Sequence, residues 1–279
     1  MSERATRWMI DEEDPRAPPQ EVWDRLTEDE RERIVDSLPS EFPPSEANPP
    51  EGDVHTEVVY GTRTALRRFF GKTGRRIYVG TNLPVYYPGR SMFSPDVMAV
   101  LDVEPHQRHS WIVSHERGKG LDLALEVIVR GSRRKDIDRN VALYADLGIH
   151  EYFVFDRPRL RLHGFRLRDA GSGYEPILPQ HGRFTSRVLG LDLCVERERL
   201  RFYTGDAELP GAEELIGKLE GFVDDLEARI AAAEERAEEE SRRAEQESRR
   251  AEEESRRAEH AEAHVRELTV ELERLKRER

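Results

Sequence analysis

Residues 123–156, LALEVIVRGSRRKDIDRNVALYADLGIHEYFVFD, contain the strand, helix and strand that decide the fold. The segment opens with an apolar run interrupted by one carboxylate, Glu126, and such a run is typical of a strand covered on both faces. Residues 134–149 have an apolar face at helical spacing and a glycine that ends it. The face consists of Ile137, Val141, Tyr144 and Leu147, and the glycine is Gly148. HEYFVFD, residues 150–156, predicts a second strand.

Further strands are predicted on both sides of this segment. We expect paired strands in 75–89, a strand that begins at Pro95 in 94–102, and another strand in 159–169. Residues 53–72 have the apolar spacing of a helix, with Gly71 as its stop. Residues 106–120 are expected to be a loop-rich insertion. This order of elements predicts an α/β domain with a mixed sheet.

The two ends of the chain differ from this domain. Residues 1–50 are expected to be an N-terminal helical and proline-rich arm, in which Thr27 and Glu30 form a capping-box pattern. The α/β domain occupies 51–208. Residues 213–279 form one long charged helix whose sevenfold repeat favours a coiled coil. Because the central repeats carry Ala at position a and Glu at position d, a solvated single helix is the alternative. At about 1.5 Å per residue this helix would be roughly 100 Å long.

Composition narrows the class of protein without deciding its partner. Charged residues are 37% of the chain, and the tail from 213 has 22 acidic and 14 basic residues. The tail therefore carries −8 of the net charge of −12, and the rest of the chain is nearly balanced. Any surface for nucleic acid must be local. A single cysteine, Cys194, and the lack of an apolar signal or membrane-spanning segment lead us to expect a soluble cytoplasmic protein without membrane contact.

Two carboxylates lie on what are predicted to be neighbouring strands. Asp96 follows Pro95 at the start of one strand, and Glu126 lies within another. Two such groups repel each other, and a hard divalent cation such as Mg²⁺ or Mn²⁺ relieves the repulsion. The loop that follows Glu126 supplies several cations, which suit a phosphodiester substrate: Arg130, Arg133, Arg134 and Lys135. A nearby lysine could orient or deprotonate the attacking water.

The segments SPDVMAVL and LALEVIVRGSRRKDIDRNVALYADLGIHEYFVFDR resemble the Uma-type restriction endonuclease family of the PD-(D/E)XK nuclease superfamily. YEPILPQHGRFTSRVLGLDLCV is similar to the family's final segment, so that the resemblance covers about residues 50–205. It implies a restriction-endonuclease-like mixed β-sheet flanked by helices, and a metal-dependent endonuclease that hydrolyses DNA. It further implies that Asp96 and Glu126 bind Mg²⁺ or Mn²⁺, with Glu57 as an additional acid. Family positions with supporting roles match Asp136, Tyr144, Tyr152 and Asp156.

Three positions depart from the family pattern. The lysine of a standard E-x-K strand would occupy the position of Ile128, and the serine and lysine of the Uma-type pattern are replaced by Val129 and Asn140. Lys135 is therefore our first choice of catalytic cation and Arg134 the second. The basic residues expected to contact DNA are Arg130, Arg133, Arg134 and Arg139.

Simpler interpretations stand beside these. Glu126 could be an ordinary strand-end acid that pairs with Arg133 or Arg134, Lys135 a solvated loop cation, and Glu57 a surface acid of its helix. The domain could also be a degenerate nuclease that acts as a nucleic-acid-binding or coiled-coil scaffold. We expect a homodimer formed through the nuclease-like domain, the tail helix, or both.

Overall fold

The structure is a computed structural model that describes residues 8–40, 52–129, 135–168 and 173–277. The chain divides into two compact units, Met1–Ala212 and Glu213–Arg279. The first unit is a mixed α/β fold and the second is helical, which confirms the predicted fold class. The described residues of the N-terminal region, 8–40, fall in the first unit.

The strands are numbered along the chain. Within the described residues they are β1 (Ile77–Thr81), β2 (Val85–Tyr86), β3 (Val97–Leu101), β4 (Trp111–Ile112), β5 (Leu123–Ile128), β6 (Glu151–Asp156), β7 (Arg161–Leu167), β8 (Tyr174–Pro176), β9 (Phe184–Ser186), β10 (Leu191–Glu196), β11 (Arg199–Thr204) and β12 (Ala207–Glu208).

The main sheet has the strand order β1-β3-β5-β6-β7-β8. β5 and β6 are parallel, and the other neighbours in this sheet are antiparallel. β12-β11-β10-β9 form a second sheet, and β2 pairs with β4 in a third. The expectation that 75–89 forms two strands paired with each other is wrong, because β1 pairs with β3 while β2 pairs with β4. The insertion at 106–120 contributes β4, whose Trp111 and Ile112 are buried.

Helices cover the main sheet on both faces. α3 (Gly52–Thr73) packs one side of its surface against alternate residues of β3 and β5. It continues past the predicted stop at Gly71 and ends before Gly74, whose φ of +71° suits glycine. On the opposite face, a π-helical turn (Lys135–Arg139) leads into α4 (Asn140–Asp146). Gly148, with φ of +75°, follows α4, as the sequence predicts.

The N-terminal region packs onto the rest of the first unit. Its helices are α1 (Gln20–Trp23) and α2 (Glu28–Ser37). The Thr27 side chain accepts from the Glu30 N–H and the Glu30 carboxylate accepts from the Thr27 N–H, which confirms the capping box. Trp23 and neighbouring apolar residues form a cluster with Tyr86 and Ile112 of β2 and β4. This contact anchors the described residues of the helical, proline-rich N-terminal region to β2 and β4.

The second unit is formed by α5, a helix that runs Ala212–Arg277. Ion pairs four residues apart support its central repeats, among them Glu238 with Arg242 and Glu239 with Arg243. Most of its described large apolar side chains are exposed, from Ile216 to Leu272. Within the described residues, no helix is both long and apolar enough to cross a membrane.

Candidate metal and nuclease site

Antiparallel pairing of β3 and β5 brings the two predicted carboxylates together. Val97 lies opposite Leu125, so that Asp96, one residue earlier, meets Glu126, one residue later. Glu126 lies on the α4 face of β5, as Ile128 does. Asp96 lies just before β3, where its side chain contacts His55 of α3. The sequence analysis predicted these acids on neighbouring strands, and the antiparallel pairing brings them to the same level, where β3 begins.

The Asp96 carboxylate bridges two other parts of the chain. Its Oδ2 accepts a hydrogen bond of 2.7 Å from the backbone N–H of Val127. Its Oδ1 lies 3.1 Å from Nε2 of His55, a buried residue in the first turns of α3. The side chain is 20% exposed, so part of the carboxylate remains open to solvent. Asp96 is thus held in one orientation while it still has access to ions and substrate.

Glu126 is the charged residue in an otherwise apolar strand, and its oxygens have hydrogen-bond donors. Oε1 accepts from the hydroxyl of Tyr144 at 2.7 Å, and Oε2 accepts from the backbone N–H of Asp96 at 3.3 Å. The residue is only 8% exposed. Burying a carboxylate without donors would cost several kcal/mol, and these contacts offset that cost.

Tyr144 acts as a fixed donor because it stays protonated. Burial is the main factor that raises its pKa well above the ordinary value of 10.0, and the negative charge of Glu126 adds to the effect. Its ring packs edge-on against Tyr152, with the ring centroids 4.9 Å apart. A buried neutral phenol locked by neighbouring rings orients one oxygen of Glu126 over the whole neutral pH range.

Helix α3 brings His55 to the carboxylates and does not bring Glu57. Two residues along a helix turn the side chain by about 200°, so these residues cannot share a face. Glu57 is 56% exposed, and its Oε1 pairs with Nη2 of Arg199 at 2.8 Å. The candidate third acid of the sequence therefore lies in a surface ion pair. A signal for His55 was present, since it continues the buried spacing of Val59 on the same helix.

The lysine positions of the family pattern are occupied by groups without charge. Ile128 is buried in the apolar cluster under α4, and Val129 packs against the cluster on the opposite face. Asn140 is buried at the start of α4, one turn before Tyr144. A lysine at position 128 would have to enter the core, so any catalytic cation must approach from another element.

The predicted cations fall mostly outside the region that can be described. Lys135 begins the π-helical turn, but its side chain, like that of Asp136, lies outside the described residues. Arg130, Arg133 and Arg134 also lie outside them. Arg139 ends the turn with an exposed side chain. The assignments of Lys135 to catalysis and of these arginines to DNA contact remain predictions.

The donor set at this site fits Mg²⁺ or Mn²⁺. Two carboxylates are the number that Mg²⁺ commonly takes from a protein, while its remaining positions hold water and substrate phosphate. Within the described ranges, His, Cys, Asp and Glu side chains form no group of three or more arranged to hold a metal ion. A two-carboxylate centre completed by water and phosphate is therefore the form that these residues support.

Two other acids near the sheet have structural partners. Asp156 is fully buried, accepts from the Arg159 N–H and pairs with the Arg159 side chain at 3.2 Å. Glu151, 1% exposed, accepts from the Ser186 hydroxyl and from the Arg187 N–H, and pairs with Arg166. The sequence analysis did not single out Glu151. These contacts involve the segment SRVLGL, residues 186–191, whose Ser186 binds this carboxylate before β10.

Comparisons with known proteins relate the chain to a sequence family and to a solved structure. The sequence model of the family described as "Uma2: Putative restriction endonuclease" matches residues 45–196 of this chain. The chain is also similar to the crystal structure of a "putative nuclease belonging to DUF820" from Anabaena variabilis ATCC 29413. That match has 11% identity and a TM-score of 0.36, and covers 46% of this chain and 73% of the other. No curated protein matches the chain.

Proposed function

This chain belongs to the Uma2 family, whose description is "Putative restriction endonuclease", and on that premise we propose that it is a metal-dependent endonuclease that hydrolyses DNA. One observation carries the proposal: Asp96, immediately before β3, lies opposite Glu126 of β5, and hydrogen-bond donors from other residues hold both carboxylates. An acid pair of this kind suits a hard divalent cation and a phosphodiester substrate.

We assign a separate role to each residue of the site. Asp96 and Glu126 would hold Mg²⁺ or Mn²⁺, which supplies Lewis acidity to the phosphate and lowers the pKa of a bound water. The phenol of Tyr144 keeps Glu126 in place, and the backbone N–H of Val127 does the same for Asp96. The basic segment that follows β5 would neutralise phosphate charge, and Lys135 would orient the attacking water. Arg139, exposed beside it, would contact the DNA backbone.

A plasmid-nicking assay with Mg²⁺ and with Mn²⁺ tests this function. The acid variants are Asp96→Asn and Glu126→Gln, which keep the side-chain volume and remove the charge. The matched control is Glu57→Gln, which removes an acid of the same chain from a surface ion pair. We expect chelator-sensitive nicking by the wild type and by the control, and a loss of at least about 100-fold in the acid variants. Equal nicking by all four proteins, or no metal-dependent nicking, would contradict the proposal.

A second candidate is a nuclease fold that binds nucleic acid without cutting it. It is favoured by buried Ile128 and by Asn140, because neither can supply the cation expected in the family pattern. The two candidates differ in one measurement: a binding protein shifts labelled DNA in a gel with or without metal, yet leaves supercoiled plasmid intact at every metal concentration. Loss of DNA binding in the arginine variants at 130, 133 and 134 would support either candidate, so cleavage decides between them.

A further inference from the structure

The helix α5 has an apolar stripe that the described structure leaves exposed. At its N-terminal end the stripe consists of β-branched residues at heptad position a and leucines at position d, each at least half exposed: Ile216, Leu219, Val223, Leu226 and Ile230. The C-terminal end repeats the pattern with exposed Val265, Leu268 and Leu272. An isolated helix of 66 residues has no reason to align apolar side chains along one seam unless the seam packs on something.

We propose that two copies of this chain associate through α5 as a parallel, in-register, two-stranded coiled coil. β-branched residues at a combined with leucine at d favour two parallel strands over other coiled-coil states. The apolar ends also set the register, because a shift of one heptad would place Ile230 against the Ala and Glu layers of the central repeats. A second copy of the chain is thus the occupant that the stripe fits.

The charges beside the seam decide the orientation of the pair. Each g position from 229 to 257 is arginine, and the e positions from 220 to 262 are glutamate or serine. In a parallel pair, g of one helix faces e in the next heptad of the other, so Arg229 meets Glu234 of the second copy. In the same way, Arg257 meets Glu262. An antiparallel pair places g against g, which sets arginine beside arginine along five heptads.

The central repeats add length to the coiled coil but contribute little to the stability of the dimer. Their a positions are alanine and their d positions are glutamate, which pack poorly across a seam. Within each helix, Glu238 and Arg242 pair at 2.9 Å, and Glu239 with Arg243 at 3.7 Å. The dimer is therefore held at its two apolar ends, and each helix supports its own middle.

Parallel pairing has a consequence that rests on the proposed function. Each α5 follows the first unit at Ala212, so a parallel pair tethers both first units at the same end of the coiled coil. One particle then carries two sets of Asp96 and Glu126, which suits a substrate with two strands to cut. An antiparallel pair would tether the two sites at opposite ends of a helix on the order of 100 Å long.

Engineered cysteines in the full-length chain test orientation and register. Ala237→Cys places a thiol at position a, where the two copies of a parallel in-register pair face each other within disulfide range. Glu238→Cys at position b, one residue on, points outward and is the control. The native Cys194 is buried and adds little background. We expect mild oxidation to convert Ala237→Cys into a reducible covalent dimer and to leave the control largely monomeric. In an antiparallel pair with aligned ends, position 237 would lie about 25 Å from its counterpart, and the disulfide would not form.

Analytical ultracentrifugation of the same full-length chain tests the seam without depending on the disulfide. The double variant Leu219→Asp with Leu226→Asp puts charge at two d positions, and the control Ala228→Asp with Ala232→Asp adds equal charge on the outer face. We expect the seam variant to dimerise at least tenfold more weakly than the control, a change of about 1.4 kcal/mol. A monomeric wild type at about 20 µM, equal crosslinking of both cysteine variants, or equal dimerisation of the two aspartate variants would each overturn the proposal. None of these measurements requires DNA cleavage, so failure of the nuclease function would be seen separately in the nicking assay.

Discussion

Replacing Tyr144 with phenylalanine removes one hydroxyl that the site depends on. The phenol donates to Oε1 of Glu126 at 2.7 Å, and both residues are buried. The ring contacts with Tyr152 and Phe93 do not involve the hydroxyl, so phenylalanine keeps the packing. The variant therefore isolates a single hydrogen bond to a buried carboxylate.

The expected loss follows from the charge and burial of the acceptor. A hydrogen bond to a charged group contributes about 1.5–3 kcal/mol, and here its removal leaves a buried oxygen without its donor. For a unit of this size, that loss lowers the melting temperature by about 3–12 °C. Because the phenol also orients a proposed metal ligand, we expect Mn²⁺ to bind about 10–100-fold more weakly.

Urea unfolding and Mn²⁺ titration by calorimetry measure the two effects. The matched control is Tyr174→Phe, whose hydroxyl donates to the backbone carbonyl of Ile149 at 2.8 Å. A neutral bond of this kind contributes about 0.5–1.5 kcal/mol, and it lies outside the carboxylate pair. If both variants lose equal stability and bind Mn²⁺ as the wild type does, the assignment of Tyr144 as the residue that positions Glu126 is refuted.

Substitutions at four further residues test other parts of the structure. His55→Ala removes the imidazole next to Asp96 and should weaken Mn²⁺ binding by about tenfold in the same titration; unchanged affinity would show that the imidazole does not position the carboxylate. Glu151→Ala removes the hydrogen-bond acceptor of several buried donors and should lower the free energy of unfolding in urea by about 3–5 kcal/mol. A decrease below about 1 kcal/mol would contradict its structural role. Asn140→Lys restores a cation one turn before Tyr144 and should raise the nicking rate relative to Asn140→Gln, whereas equal rates would show that no cation is lacking there. Burial raises the pKa of the Cys194 thiol to about 12, so the folded state keeps a proton that the unfolded chain loses above pH 9. The free energy of unfolding should therefore fall by up to about 1.4 kcal/mol per pH unit from pH 9 to 10.5, and less steeply in Cys194→Ala. Parallel pH curves for the two proteins would contradict the burial argument.

The candidate site shows how far residue patterns lead. Asp96 and Glu126 could each be assigned to a strand because apolar runs and the position of Pro95 indicate strands locally. The spacing from Val59 indicates a buried His55, but it does not show that His55 rather than Glu57 reaches Asp96, because that depends on the rotation of α3 on the sheet. Glu151 was missed for a related reason, because its main partners, Ser186 and Arg187, come from a turn 35 residues later.

The long helix α5 and the end of α4 at Gly148 follow from local sequence. Helical hydrogen bonds join residues four apart and the heptad repeat spans seven, so both depend only on nearby residues. The sheet order, the pairing of β2 with β4 and the packing of Trp23 against that ribbon do not, because they join segments far apart in the chain. The candidate site likewise depends on contacts between residues far apart in the chain. Acidic residues of the required type are visible in the chain, but only the packed fold decides that Asp96 meets Glu126 and that Glu57 pairs with Arg199 instead. Strand register and helix rotation decide which residues far apart in the sequence come into contact. Both are set only when the whole core packs.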